Sequence, residues 1–427
     1  MLPELESLFG AAVDAVMPQR MLPGRMRLHD GVLSVGGEQL DLERYGNLYL
    51  CGAGKAALPM AEACEAILGE RIAGGVIVTP EAERPLGYCT YVHSTHPLPS
   101  EESVEAAERL MEQFARAGER DLILFLLSGG TSALIEKPLP PVTLAAMAET
   151  TRLLLENGCS IEETNSVRKH LSMIKGGRLA QMTRATVLVL VVSDVIGDDL
   201  ETIGSAPLYC DRSTYADVTA MLRGKGLMEA LSETVRDVLT KGERGEVPET
   251  PTAPLATVKH LLIGSNRQAL EAAAACGVEH GRDVRVVESP IEGDVAEAAE
   301  AFCSRFRALP PGTLLLQGGE TTVTVSGNGR GGRNQHFALL CLKHLGAACS
   351  YDIICAGTDG IDGNSDAAGA RISDALFRRC SIAEIDDALA RFDSNTFFAG
   401  KEALIETGYT GTNVMDVVLA YKGEDNG

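Results

Sequence analysis

The chain has 427 residues and a formal net charge of −21. A duplex or an anionic membrane demands a basic surface, so this balance excludes nucleic acid and acidic lipid as partners. Hydrophobic content of 45% and charged content of 23% describe a globular protein long enough for at least two domains, and no run approaches the ~18 apolar residues of a membrane span.

The first residues are amphipathic (Leu5, Leu8, Phe9, Val13, Val16) and carry acids, which predicts a docking helix and not a signal peptide. Residues 31–42 read as a hairpin turning at Gly36-Gly37. Short apolar runs then alternate with helical patterns. Strands are predicted over 48–51, 75–78, 91–93, 122–127 and 186–192, and helices over 55–68, 101–117, 142–156, 161–173 and 227–239. The unbroken apolar run 187–192 suits a parallel sheet covered on both faces. Residues 241–254 hold three prolines and several charges without periodicity, and the domain boundary is placed there, giving domains 1–245 and 255–427. The second half restarts with strands over 258–263, 284–287, 313–316, 321–325, 352–355 and 417–421 and helices over 268–276, 295–307 and 334–345. The close spacing of 313–316 and 321–325 predicts an antiparallel pair and so a mixed sheet. The fold class is therefore two α/β domains: an N-terminal three-layer sandwich with a mostly parallel sheet, and a C-terminal domain with a mixed sheet.

Eleven cysteines, an odd number without Cys-x-x-Cys spacing, lie mostly in apolar runs, as Cys51, Cys64 and Cys355 do. They read as small hydrophobes in a reducing cytoplasm.

Ligands of doubly wound folds bind beyond the carboxyl ends of strands, so the segment after each apolar run is where chemistry belongs. After 48–51 comes Gly52-Ala53-Gly54-Lys55, with a lysine at a helix start, where free amides and partial positive charge suit an anion. It is not a Walker A loop, and taken alone it serves equally well as a structural turn. After 122–127 comes Ser128-Gly129-Gly130-Thr131-Ser132, hydroxyls and glycine amides fit to cradle a small anion, or simply to cap a helix. No Gly-x-Ser-x-Gly marks an esterase nucleophile here. Five basic or potentially basic side chains fall between Arg168 and Arg178, and Asn165, Arg168 and Lys175 read as anion contacts while Lys169 suits a solvated face. After 186–192 come Ser193-Asp194 and Asp198-Asp199; an acid capping a central strand faces the ligand and often a cation, and Asp194 is favoured over the other two.

The second half repeats the arrangement. A short β run ends in Glu320, and the glycine-dense stretch 327–333 presents Arg330 and Arg333, planar forks matched to phosphate or carboxylate. The loop around Asp359, Asp362 and Asp366 lacks the closing glutamate of an EF-hand and better suits Mg²⁺ shared with a phosphate. Basic groups for phosphate oxygens, carboxylates for Mg²⁺ and no covalent nucleophile describe phosphoryl transfer.

In this order the segments 52–57, 94–97, 127–134, 167–180, 193–199, 264–266, 318–335, 356–369 and 410–414 resemble the class II glycerate kinases, the glycerate 2-kinases whose C-terminal region is called MOFRL. Thr131, Tyr409 and Met415 stand where a third glycine, a proline and an asparagine are usual in that family. The resemblance implies a Rossmann-like glycerate kinase domain, a MOFRL-type α/β domain and an active site in the interdomain cleft. It implies ATP-dependent phosphorylation of D-glycerate to 2-phosphoglycerate and ADP, with ATP and Mg²⁺ as cofactors, and a cytoplasmic enzyme with small-molecule partners; a homodimer is compatible with it. By motif, Lys55 and Arg333 are the catalytic cations. Asp194 and Asp359 are metal ligands or base. Ser128, Gly129, Gly130, Ser132, Asn165 and Arg168 face the anionic substrate, with Glu320, Gly332 and Asn334 as further cleft residues. A sugar-phosphate isomerase, needing neither nucleotide nor metal, is the competing enzyme class, and a non-catalytic metabolite sensor is the third reading.

Overall fold

A computed structural model describes residues 2–423. Its contacts divide the chain into one unit running from Leu22 to Ile263 and a second that joins the segment up to Met21 to residues 264–427.

The Leu22–Ile263 unit is built on a sheet in the order Val258–Gly264, Thr186–Val192, Leu122–Leu127, Leu48–Ala53, Val76–Thr79, Thr90–His93. Leu48–Ala53 runs parallel to Leu122–Leu127, with Leu48 opposite Leu122 and Ala53 opposite Leu127, and Leu122–Leu127 runs parallel to Thr186–Val192. Every residue of Leu122–Leu127 is buried, as is all of Thr186–Val192 but its first residue, because both sheet faces are covered. Cys51, Phe125 and Val189 meet Ala106, Leu110 and Phe114 of the helix Glu101–Arg116 on one face. The expected hairpin forms from Val32–Val35 and Glu38–Asp41, with Gly36 at φ 56° and Gly37 at φ 87°, the conformation a tight two-residue turn requires. A separate helical core gathers Met147, Leu154, Val167, Tyr215, Leu222 and Leu239. Its helix Tyr215–Gly224 was not predicted, and the expected helix over 227–239 is a short turn followed by Glu233–Glu243.

In the second unit the sheet order is Asp283–Val286, Thr313–Thr322, Asp416–Lys422, Tyr351–Gly357, Gly369–Ser373, Leu404–Ile405, with Ile291–Asp294 also on Thr313–Thr322. The sheet is mixed, as expected, but for a different reason. Residues 313–316 and 321–325 are not an antiparallel pair; Thr313–Thr322 is one ten-residue strand. Its antiparallel partner is Asp416–Lys422, and its parallel neighbours are Asp283–Val286 and Ile291–Asp294. Gly318 and Gly319 do not turn the chain. A Cβ on Gly318 would meet Asn266 Oδ1 at 1.7 Å, and one on Gly319 would meet the Ile291 carbonyl oxygen at 2.1 Å, so these glycines admit close neighbours.

The domain boundary expected between 245 and 255 is not where the contacts divide the chain. The strand Val258–Gly264 extends the first sheet beyond Thr186–Val192, and Val187 donates its amide to the Thr257 carbonyl at 2.8 Å. The proline-rich stretch is a strap on the first unit. Arg178 donates to the Pro248 carbonyl at 2.9 Å, His170 Nε2 lies 2.9 Å from Glu249, and the Asp211 amide donates to the Pro251 carbonyl at 2.9 Å. Composition without periodicity looks like a linker even when polar anchors hold it. The amphipathic first helix, Leu5–Asp14, buries Leu5, Leu8, Phe9 and Val13 and packs on Asn266–Glu279 within the second unit. Among the described residues no helix is long and apolar enough to cross a membrane.

Candidate active site

In the Leu22–Ile263 unit three neighbouring parallel strands end side by side in Gly54-Lys55, Ser128-Gly129-Gly130 and Ser193-Asp194. The turns interlock. The Lys55 amide donates to the Gly129 carbonyl at 2.9 Å, and the Ala56 amide donates to Ser128 Oγ at 3.0 Å, so Ser128 ties its own turn to the residue before the helix Ala57–Leu68. Thr131 Oγ1 lies 2.7 Å from both the Ala53 and the Ser128 carbonyl oxygens, tying the two turns together where the family usually has glycine. Among the described residues the amides of Gly129, Gly130, Thr131 and Ser132 make no hydrogen bond. Four consecutive free amides at a strand-to-helix turn make a nest of donors of the kind that can receive an anion.

Asp194 lies directly over Gly129. A Cβ there would sit 1.8 Å from Asp194 Oδ2, so only glycine leaves room for the carboxylate. Burial raises the Asp194 carboxyl above the ordinary range, against the opposing pull of the Lys55 charge. Replacing Gly129 with alanine should displace this carboxylate while leaving the strands in place. Turnover is expected to fall at least ~10²-fold, the scale of an ångström-level misplacement, and to match that of Asp194→Asn. Steady-state rates of the two variants beside their melting curves check this; a Gly129→Ala enzyme with native turnover would show that the position of Asp194 does not matter.

Ser132 Oγ lies 2.8 Å from Ser205 Oγ, and the Ser132 carbonyl is 3.4 Å from Arg168 Nη2 and 2.8 Å from Lys175 Nζ. Asn165 Oδ1 receives the other arm of Arg168 at 3.4 Å. Arg168 and Asn165 therefore lie beside the nest, and Arg168 also pairs with Glu136 at 3.7 Å. Lys175 is 1% exposed, donates to the Ser132 and Ile135 carbonyls and pairs with Glu136 at 2.9 Å; burial pushes its ammonium down to about 8. It supports the loop from beneath and is not an anion contact. Lys169, expected on a solvated face, is buried 3.4 Å from Asp211.

The second unit assembles its own cluster. The carboxyl ends of Thr313–Thr322 and Tyr351–Gly357 meet the amino end of Asp416–Lys422, with both Gly319 and Gly357 opposite Asp416. Arg333 Nε donates to Asp416 Oδ2 at 2.6 Å and Nη2 to Asp416 Oδ1 at 3.1 Å, while Nη1 lies 2.5 Å from Glu320. Burial alone would depress its guanidinium, but the carboxylates of Asp416, Glu320 and Asp362 outweigh that and hold it above its usual value. Asn334 Nδ2 donates to Asp416 Oδ1 at 2.9 Å. A Cβ on Gly357 would lie 3.1 Å from Asp359 Oδ1 and 3.4 Å from Asp416 Oδ1, which sets Asp359 in the same group. The geometry thus gathers Glu320, Arg333, Asn334 and Asp359.

The glycine-dense loop is put to another use than expected. Cβ atoms on Gly327 and Gly329 would collide with the carbonyls of Arg391 and Phe392, and one on Gly332 with Asp362. Those glycines let backbone pack on backbone. The first amides of the helix Arg333–Leu345 are already taken, since those of Asn334 and Gln335 donate to the Asp362 carboxylate at 3.0 and 2.9 Å. Burial pushes the Asp362 carboxyl up to about 6 even so. Asp362 is therefore the helix cap and not a metal ligand, and Arg330 pairs with Asp366 at 2.9 Å. Asp416 was missed. It precedes an apolar run predicted to begin one residue later, and an acid heading a strand would have flagged it.

The comparisons with known proteins agree with this architecture. Residues 4–240 match the family described as "Domain of unknown function (DUF4147)", and residues 313–416 match the MOFRL family. A "Glycerate 2-kinase" of Pyrococcus horikoshii is 36% identical over 97% of this chain and 95% of its own. A "D-glycerate 2-kinase" of Thermotoga maritima is 35% identical over 96% and 95%. The crystal structure of a glycerate kinase from Thermotoga maritima superposes with a TM-score of 0.86 at 34% identity, covering 98% of this chain and 99% of that one. With these relatives over nearly its whole length, the chain is a kinase that phosphorylates an alcohol group. The chain belongs to the class II glycerate kinases, the glycerate 2-kinase family with a MOFRL region.

Proposed function

We propose that this chain is a glycerate 2-kinase that transfers the γ-phosphoryl group of ATP to the 2-hydroxyl of D-glycerate, giving 2-phosphoglycerate and ADP. The observation that carries the reading is the free amide nest at Gly129–Ser132 beside Lys55 and Asp194, in a chain of this family. Phosphoryl transfer is catalysed mainly by positioning and charge stabilisation, and each cluster supplies a part of it. Lys55 and Arg333 are the cations that stabilise charge on the transferring group. The nest and Arg168, with Ser128 and Asn165 behind them, hold an anionic group of the substrates. Glu320 and Asp416 fix the plane of Arg333, and Asn334 and Gly332 complete that wall.

Among the described residues no group of three or more side chains could hold a metal ion by itself. Mg²⁺ needs only one or two carboxylates when nucleotide phosphates fill its other positions, so single acids such as Asp194 and Asp359 fit a nucleotide-borne ion. When bound, Mg²⁺ would neutralise charge on the β- and γ-phosphates. The free cysteines support a reducing compartment, the cytoplasm, as the setting of the reaction.

Coupled ADP release should require D-glycerate, ATP and Mg²⁺ together, and chelation of the metal should abolish it. ADP release independent of glycerate, or sugar-phosphate isomerisation without nucleotide, would contradict the reading.

A further inference from the structure

The segment that follows the strand Thr90–His93 places His96 over the same nest. A Cβ on Gly130 would lie 3.1 Å from His96 Cδ2, 3.3 Å from His96 Nε2 and 3.2 Å from Lys55 Cγ. The imidazole edge and the lysine stem therefore converge above one residue, and Gly130, at φ 84°, is the residue that admits both. His96 reaches solvent, and neither ring nitrogen has a hydrogen-bond partner among the described residues. A histidine with a merely structural role is normally anchored through a nitrogen, as His170 is by the Ser166 carbonyl at 2.8 Å and Glu249 at 2.9 Å. His96 instead offers an open donor and an open acceptor beside the catalytic lysine.

We propose that His96 binds the phosphoryl acceptor directly, one ring nitrogen pairing with a hydroxyl of glycerate next to Lys55. This rests on the glycerate kinase reading above. The chemistry of the neighbours selects the hydroxyl. Carboxylate and phosphate oxygens find their partners in the four amides, Lys55 and Arg168, all of which donate. A hydroxyl both donates and accepts, and an uncharged imidazole with both nitrogens open can answer it either way. The ring is uncharged at neutral pH: partial burial, and then the adjacent Lys55 charge, push it down to about 4. That weak basicity makes His96 a poor proton acceptor and a poor anion partner, and leaves hydrogen bonding as its contribution.

The test uses the full-length enzyme with His96→Ala and His96→Asn, the second keeping an amide that can donate and accept. For His96→Ala, kcat/KM for D-glycerate should fall ~10- to 10²-fold, the range for an unmade hydrogen bond to a polar group, while KM for ATP changes less than about twofold, well short of that range. His96→Asn should recover part of the loss. The ratio of wild-type to His96→Ala rates should stay flat between about pH 6 and 8, because the ring does not titrate there. Equal losses toward glycerate and ATP, an unchanged kcat/KM for glycerate, or a limb near pH 6.5 that vanishes in the variant would each overturn the assignment. Wild-type protein that does not phosphorylate D-glycerate at all would instead refute the parent reading, so the two failures are told apart. Melting temperatures of both variants identify any that fail to fold, and chemical-shift changes of the His96 ring on adding D-glycerate to the wild type give a readout that needs no variant.

Discussion

Arg333→Ala is expected to lower turnover by at least ~10³, the scale of an arginine that stabilises charge on a transferring phosphoryl group. Stability should fall as well. Arg333 is the counter-ion of Asp416, which is largely buried, and of Glu320, and Asp362 lies close enough to feel its charge. Removing it leaves these acids facing one another. Breaking a buried pair costs about 3–5 kcal/mol, and with roughly a third of the Arg333 side chain exposed, about 2 kcal/mol is expected after allowance for solvent screening. The two effects separate in Arg333→Lys. A lysine keeps the charge but cannot bind Asp416 through two parallel N–H groups, so much of the stability should return while turnover stays low. Rates measured well below the melting temperature of each variant decide the matter. An Arg333→Ala enzyme that keeps a tenth of wild-type turnover would remove this side chain from the mechanism.

The second large effect is expected at Lys55. Lys55→Ala should also cost at least ~10³ in turnover, because the same kind of charge stabilisation is lost. The fold should hold, since backbone bonds together with Thr131 and Ser128 tie the turn. One further consequence distinguishes this variant from a merely misfolded one. The Lys55 charge opposes the rise that burial imposes on Asp194, so without it the Asp194 carboxyl moves higher still. An acid whose value is raised needs a higher pH to ionise, so the acid limb of the residual activity should shift upward. Small primary alkylammonium ions should restore part of the rate. Full activity in Lys55→Ala, or a loss matched by collapse of the melting temperature, would contradict the proposed role.

Most of the first sheet could be read from the chain because its strands are nearly pure apolar runs. Residues 122–127 and 187–192 are buried end to end, and the glycines and polar residues that follow them mark where the runs stop. Periodicity could not reveal partners distant in sequence. Asp416 reaches Arg333 across 83 positions, and Asp362 caps a helix that begins 29 residues before it. The glycines of 327–332 carried a double meaning for the same reason: amides open to an anion and backbone packed on backbone call for the same residue, and only the carbonyls of Arg391 and Phe392 distinguish them. Lys175 illustrates the opposite error. Its charge drew attention, while its burial against Glu136 and two carbonyls depended on contacts 39 and more residues away. Met415 stands where the family usually has asparagine, and its φ of 69° is the left-handed region that asparagine tolerates better than methionine. That local strain sits one residue from Asp416, at the centre of the second cluster.

The regiochemistry of the product tests the central claim most directly. Incubating the purified chain with D-glycerate and Mg·ATP and following phosphorus resonances should show ADP and 2-phosphoglycerate rising in equal amounts. Phosphate appearing on the 3-hydroxyl, or no glycerate-dependent product at all, would contradict the account.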